Sequence, residues 1–171
     1  VAKREGIVLP HLCFADKPGY RADGNCRACM VSIEGERVLA ASCIRKPTEG
    51  MKVITNDERS IKSRKMVLEL LVTDQPDRET SHDPDSHFWN VASSVDVAKS
   101  RFDKREKTIV PCEDASHVAM SVNLDACIHC NLCVRACREV QVNDVIGMGN
   151  RGHHSKVIFD FNDPMGDSSC V

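Results

Sequence analysis

The positions of the cysteines constrain this chain more than any other feature. Ten cysteines lie in 171 residues; Cys26 and Cys29 flank two residues, and Cys127, Cys130, Cys133 and Cys137 follow one another at intervals of two, two and three. Clustered thiols point to a cofactor rather than to scattered packing. A chain of this length makes one ordinary domain or two small ones, which bury too little apolar surface to be generously stable, so a bound group would help hold the fold. Disulfides are the other use for so many cysteines, but they belong to oxidising compartments, and no stretch resembles a signal peptide. A reduced, cytoplasmic setting is expected.

The first constellation is Cys13, Cys26, Cys29 and Cys43, separated by twelve, two and thirteen residues. Iron–sulfur clusters demand soft, charged thiolates, four around a [2Fe–2S] core, and this set supplies four. The two residues between Cys26 and Cys29 let both sulfurs reach one metal, and Gly19, Ala22, Gly24 and Ala28 keep the loop free of bulk, so that backbone N–H groups can approach cluster sulfides. The last interval has a geometric reading: 30–34 and 38–42 pattern as two strands joined around Gly35. Five residues extend roughly 17 Å, so the outgoing and returning strands cancel and Cys43 comes back to Cys29. Four cysteines with one Cys-x-x-Cys pair also suit a zinc-stabilised interaction module, although zinc sites usually show two paired knuckles. The twelve-residue interval departs from the plant-type run, which has four residues there.

Cys127, Cys130, Cys133 and Cys137 carry the spacing of bacterial two-cluster ferredoxins. In that pattern three sulfurs hold one [4Fe–4S] cubane and the fourth cysteine serves the other cluster. Cys127, Cys130 and Cys133 are therefore expected on the first cubane. Cys137 is expected on a second, with Cys170 placed to open its partner run. Both cubanes would be incomplete within this sequence. Arg138 stands where a proline usually follows the fourth cysteine. The chain opens at Val1 without an initiator methionine and ends one residue after Cys170, and it reads as a fragment.

These signals imply an α+β organisation in three parts: 1–73 with the first four cysteines, a linker over 74–110, and 111–171 with the second run. Ile61, Met66, Val67, Leu70 and Leu71 recur at intervals that predict an amphipathic helix. The 74–110 stretch turns polar, with Pro76 and Pro84, and admits a short helix over 91–99. Two apolar patches, 145–148 and 156–161, read as short strands. The longest apolar run, 66–72, is far short of the roughly 20 residues that span a bilayer. A net charge of −2 with interspersed signs offers neither a nucleic-acid stripe nor a polybasic patch. The expected partner is another protein. Cys112 matches neither run and reads as a free thiol; His153 and His154 read as surface loop. His129 reads as a loop residue facing solvent, with tuning of a cluster as the alternative. Arg27, Arg135 and Arg138 flank proposed ligands, where positive charge favours a reduced cluster.

With both motifs in hand, the chain resembles the amino-terminal region of the catalytic subunit of soluble NAD-dependent formate dehydrogenases, relatives of the large iron–sulfur subunit of respiratory complex I. The resemblance rests on 24–29 (Gly-Asn-Cys-Arg-Ala-Cys), on 66–71, on 127–145 and on 163–167 (Asp-Pro-Met-Gly-Asp). It implies a [2Fe–2S] ferredoxin-like β-grasp domain lacking its first hairpin, with residues 1–7 as the tail of the following helix and a sheet edge left open, and a partial 2[4Fe–4S] ferredoxin domain. The full subunit would continue into a molybdenum or tungsten pterin domain that oxidises formate to CO2. Electrons would leave through a flavin- and NAD-binding partner subunit. Complex I and NAD-linked hydrogenase relatives usually place a one-histidine, three-cysteine cluster site after the amphipathic helix. Residues 74–110 hold no cysteine, and His82 and His87 there read as surface histidines. That difference favours formate dehydrogenase over a complex I or hydrogenase diaphorase subunit. No catalytic residue of the substrate side is expected in this piece.

Overall fold

A computed structural model describes residues 1–104 and 113–170. Cys112 and its expected free thiol lie outside the described residues. Strand β1 (Met30–Ile33) pairs antiparallel with β2 (Ala40–Ala41), in the register Met30 to Ala41 and Val31 to Ala40. The turn between them uses Gly35 at φ +83°, a left-handed conformation that glycine adopts without a Cβ clash. The hairpin forms where the alternating pattern placed it, with shorter strands. A third strand, β3 (Val53–Ile54), pairs with the other side of β1, giving the order β2-β1-β3. Its two residues are exposed on the outer edge of the sheet. Residues 2–5 form one short helical turn before the cysteine loop.

Helix α1 (Glu58–Val72) is capped by Asp57, whose carboxylate accepts from the Ser60 N–H at 3.3 Å and from the Ser32 hydroxyl at 2.9 Å. That one side chain both starts the helix and ties it to β1. The buried row is Ser60, Arg64, Leu68 and Val72, four residues apart and so on one face. The apolar periodicity placed Ile61 and Leu70 on that face, yet both are half exposed. The helix is rotated because Ser60, with 0 % of its surface exposed, lets it approach the β1 end closely. Arg64 then reaches the carbonyl oxygens of Thr55 and Ser60 instead of solvent.

The polar stretch after α1 is not simply a spacer. Ser86 caps α2 (His87–Ser94), which begins four residues earlier than the sequence suggests and ends five earlier. Phe88, Trp89, Val91 and Ala92 on this helix, with Val97 beyond it, are buried against Leu12, Ala28, Leu68 and Val72. Phe88 and Trp89 meet edge to face at 5.1 Å. Enough apolar area within one helical turn and a half overrides the polar average of the segment.

Beyond the undescribed residues, β4 (Glu113–Asp114) pairs with β5 (Val122–Asn123). Helix α3 (Leu132–Arg135) runs into a wider π turn over Ala136–Val140. The two apolar patches become β6 (Ile146–Gly149) and β7 (Lys156–Phe159), paired antiparallel from Ile146–Phe159 to Gly149–Lys156. The 163–167 turn docks back on β4: the Met165 N–H donates to the Asp114 carboxylate and the Gly166 N–H to the Ser116 hydroxyl, each at 2.7 Å. A Cβ at Gly166 would lie 2.4 Å from the Ser116 carbonyl oxygen, so only glycine permits this approach. Among the described residues no helix is long and apolar enough to cross a membrane.

Candidate metal centre

The loop before β1 and the end of β2 bring the first four cysteines together. The Ser42 N–H donates to the Cys29 carbonyl oxygen at 3.2 Å, closing the hairpin so that Cys43 stands beside Cys29. At the other end of the loop the Cys26 N–H donates to the Cys13 sulfur at 3.3 Å. The Cys13 thiol meets Cys26, and the Cys43 thiol meets Cys29 and also feels Cys13. Arg27, at φ +58°, is left-handed and reverses the chain between Cys26 and Cys29.

Electrostatics follow from this packing. Burial pushes the Cys43 thiol up to about 12, with the charge of neighbouring Cys29 adding to it and a Gly24 N–H opposing. Burial likewise raises Cys13, against the pull of the Cys26 and Asn25 N–H groups. A pocket of enclosed thiols that repel one another's ionisation, with backbone N–H groups aimed at sulfur, suits a group whose positive iron replaces the protons. Four thiols with N–H donors fit a two-iron cluster better than one tetrahedral zinc.

Cys127, Cys130 and Cys133 form a second group on the loop leading into α3. Burial raises the Cys127 thiol, the His129 N–H opposes, and the Cys130 charge adds to the rise. Cys133 is exposed to solvent, and local desolvation of its sulfur with the charges of Cys127 and Cys130 raises its thiol. His129 (φ +53°) and Asn131 (φ +61°) are left-handed, which folds the loop around the sulfurs. His129 acts here through its backbone: its N–H faces Cys127, and its carbonyl oxygen accepts from the Asn25 side chain at 3.0 Å. Buried Cys137 lies in the π turn, its sulfur accepting from the Val145 and Ile146 N–H groups at 3.2 and 3.5 Å. Half-buried Cys170 has its own N–H on the Ser168 hydroxyl. None of the nine described cysteines is in a disulfide.

Sequence reasoning missed what joins the two groups. Buried Gln75 donates to the Cys127 carbonyl oxygen at 3.2 Å, and Arg21 pairs with Glu139 at 2.9 Å. Arg135 is 5 % exposed and donates to the carbonyl oxygens of Arg21 and Cys13. Gly19, at φ +83°, lets Val140 approach, since a Cβ there would lie 3.2 Å from its methyl. A buried glutamine in a polar segment and an arginine between two cysteines were the available signals, but neither says which distant carbonyl it meets.

The comparisons bear on the first part of this arrangement. Residues 1–58 match the family described as a 2Fe-2S iron-sulfur cluster binding domain. Over 99 % of its length the chain is 29 % identical to the NADP-reducing hydrogenase subunit HndD of Solidesulfovibrio fructosivorans, spanning 30 % of that protein. It is 29 % identical to the gamma subunit of the NAD-reducing hydrogenase HoxS of Cupriavidus necator, over 94 % of this chain and 67 % of that one. With the mitochondrial NADH-ubiquinone oxidoreductase 78 kDa subunit of Candida albicans it shares 28 % identity over 91 % of the chain, spanning 22 % of the relative. Among solved structures, a chain from an NAD+-reducing [NiFe]-hydrogenase in the H2-reduced state superposes with a TM-score of 0.83 at 26 % identity, covering 99 % of this chain and 71 % of that one.

Proposed function

We propose that this chain is the iron–sulfur relay of an NAD-linked oxidoreductase. Cys13, Cys26, Cys29 and Cys43 hold a [2Fe–2S] cluster, and Cys127, Cys130 and Cys133 hold three corners of a [4Fe–4S] cubane. Cys137 and Cys170 are ligands to a second cubane completed outside this sequence. Such clusters pass single electrons at thiolate-bound iron. The observation that carries the reading is the gathering of four enclosed thiols, with backbone N–H groups aimed at their sulfurs, in the segment that matches a 2Fe-2S family. The residues of this chain hold the sulfurs, exclude water from them and keep the two cysteine groups against each other.

For the host enzyme we favour the catalytic subunit of a cytoplasmic NAD-dependent formate dehydrogenase, with a molybdenum or tungsten pterin domain elsewhere in that subunit and a flavin-bearing partner. The 74–104 segment contains no thiol and instead packs Phe88 and Trp89 into the core, where the hydrogenase and complex I branches are expected to carry an added cluster. A hydrogenase or complex I subunit is the second reading, favoured by the names of the relatives.

Iron and acid-labile sulfide per chain after anaerobic reconstitution, with EPR of the dithionite-reduced sample, test the relay. A [2Fe–2S] signal is expected, whereas bound zinc without labile sulfide would sink the reading. In the whole enzyme, formate should generate that signal and hydrogen should not. The reverse result would move the chain to the hydrogenase branch.

A further inference from the structure

Arg135 lies between Cys133 and Cys137, yet its side chain leaves that loop and ends beside the other cysteine group. Its guanidinium donates to the carbonyl oxygen of Cys13 at 2.5 Å and to that of Arg21. Its Nε, buried and without a hydrogen bond, lies 3.9 Å from the Asp23 carboxylate, and the Tyr20 ring sits under it at 5.9 Å. Asp23, a residue from the Gly24 turn, is thus its nearest opposite charge, and that pair is too long to cancel the cation fully. A cation with 5 % of its surface exposed is poorly screened by water. Anchoring helix α3 does not by itself call for a charge at this position, since burying one is costly and an uncharged donor would reach the same carbonyls.

We propose that Arg135 is a positioning residue that sets the reduction potential of the [2Fe–2S] site from the neighbouring cluster loop, while locking the two cysteine groups together. The proposal rests on the relay reading above. One-electron reduction adds one negative charge to the cluster, with no bond made or broken and no proton moved. A fixed cation at the Cys13 backbone stabilises that added charge and raises the potential. Asp23 acts with the opposite sign. Arginine suits the role because its planar fork reaches two carbonyls at once, whereas lysine offers a point charge.

The test is an EPR-monitored redox titration of the full chain after anaerobic reconstitution, comparing wild type with R135Q, R135K and D23N. Gln75 and Asn25 still join the loops in every variant. At the wild-type midpoint, R135Q should show a reduced-to-oxidised ratio about tenfold lower, equivalent to 59 mV for a one-electron couple. D23N should shift the ratio the other way, and R135K should return most of the wild-type value. If R135Q fails to take up iron, D23N decides, because it leaves the Arg135 hydrogen bonds in place. R135Q titrating with wild type, or D23N unmoved, would overturn the proposal. Wild type without a [2Fe–2S] signal would instead overturn the relay reading itself.

Discussion

At Gly24 the backbone sits at φ +66°, and a Cβ would lie 2.8 Å from the Ile44 methyl. The same residue aims its N–H at the Cys43 sulfur. Left-handed backbone costs an ordinary residue about 1–2 kcal/mol, and the contact with Ile44 adds to that unless the isoleucine swings away. Gly24→Ala should therefore lower stability by about 1–2 kcal/mol and reduce iron bound per chain, because any relief of the strain tilts the N–H from sulfur. Gly35→Ala is the matched control: φ is +83° at the hairpin tip with nothing near the added Cβ. It should show the backbone penalty in urea denaturation and keep the wild-type iron content. Equal iron loss in both variants would mean that the Gly24 N–H has no special role.

Helix α1 depends on a cap that responds to acid. Hydrogen bonds from the Ser60 and Ser32 hydroxyls and the Ser60 N–H hold the Asp57 carboxyl below its ordinary value of 3.8. A carboxyl depressed in the folded state contributes stability that is present above its unfolded value and is lost as pH falls through the folded one. Thermal unfolding followed by circular dichroism should show the midpoint dropping below about pH 4, with D57N less stable at neutral pH and flatter in that acid window. A variant that keeps the full acid dependence would place the effect on other carboxylates. The tie from Asp57 to Ser32 also explains why α1 presents Ser60 and Arg64, rather than Ile61, toward the sheet. The helix was legible from its periodicity, but its rotation depends on the approach of Ser60 and on side-chain bonds from Asp57 and Ser60 to Ser32 in a strand 25–28 residues away.

Across the whole molecule the cysteine loops and the apolar core are one structure. Leu12 and Ala28, neighbours of Cys13 and Cys29, pack in the same cluster as Trp89, and Cys26 and Ile128 lie against it. Anything that holds the sulfurs also holds the core, so bound iron should contribute folding energy in a chain of this size. Trp89 is the single tryptophan and is 3 % exposed, so its emission reports this core directly. Stripping iron with a chelator under anaerobic conditions should move the Trp89 unfolding transition to lower denaturant and red-shift its emission. An unchanged transition would show that the core stands without the metal.

The sequence by itself determined where the thiols cluster and the local turns around them. Thiolate chemistry fixes which residue types can hold iron, and short spacings between them leave few loop geometries, so both cysteine runs and the Cys29-to-Cys43 hairpin were legible. Its apolar patterning also located α1 and the β6–β7 hairpin. Only the tertiary structure decided how the thiols lie against one another, because that depends on how the cysteine loop folds back on the hairpin. It also decided that residues 87–97, an apolar island in the polar 74–110 stretch, complete the core, since burial depends on a partner surface that composition does not reveal. The link between the two cysteine groups lay furthest from reach. Arg135 meets Cys13 across 122 positions and Asn25 meets His129 across 104, and no local pattern specifies which distant carbonyl a buried donor will satisfy.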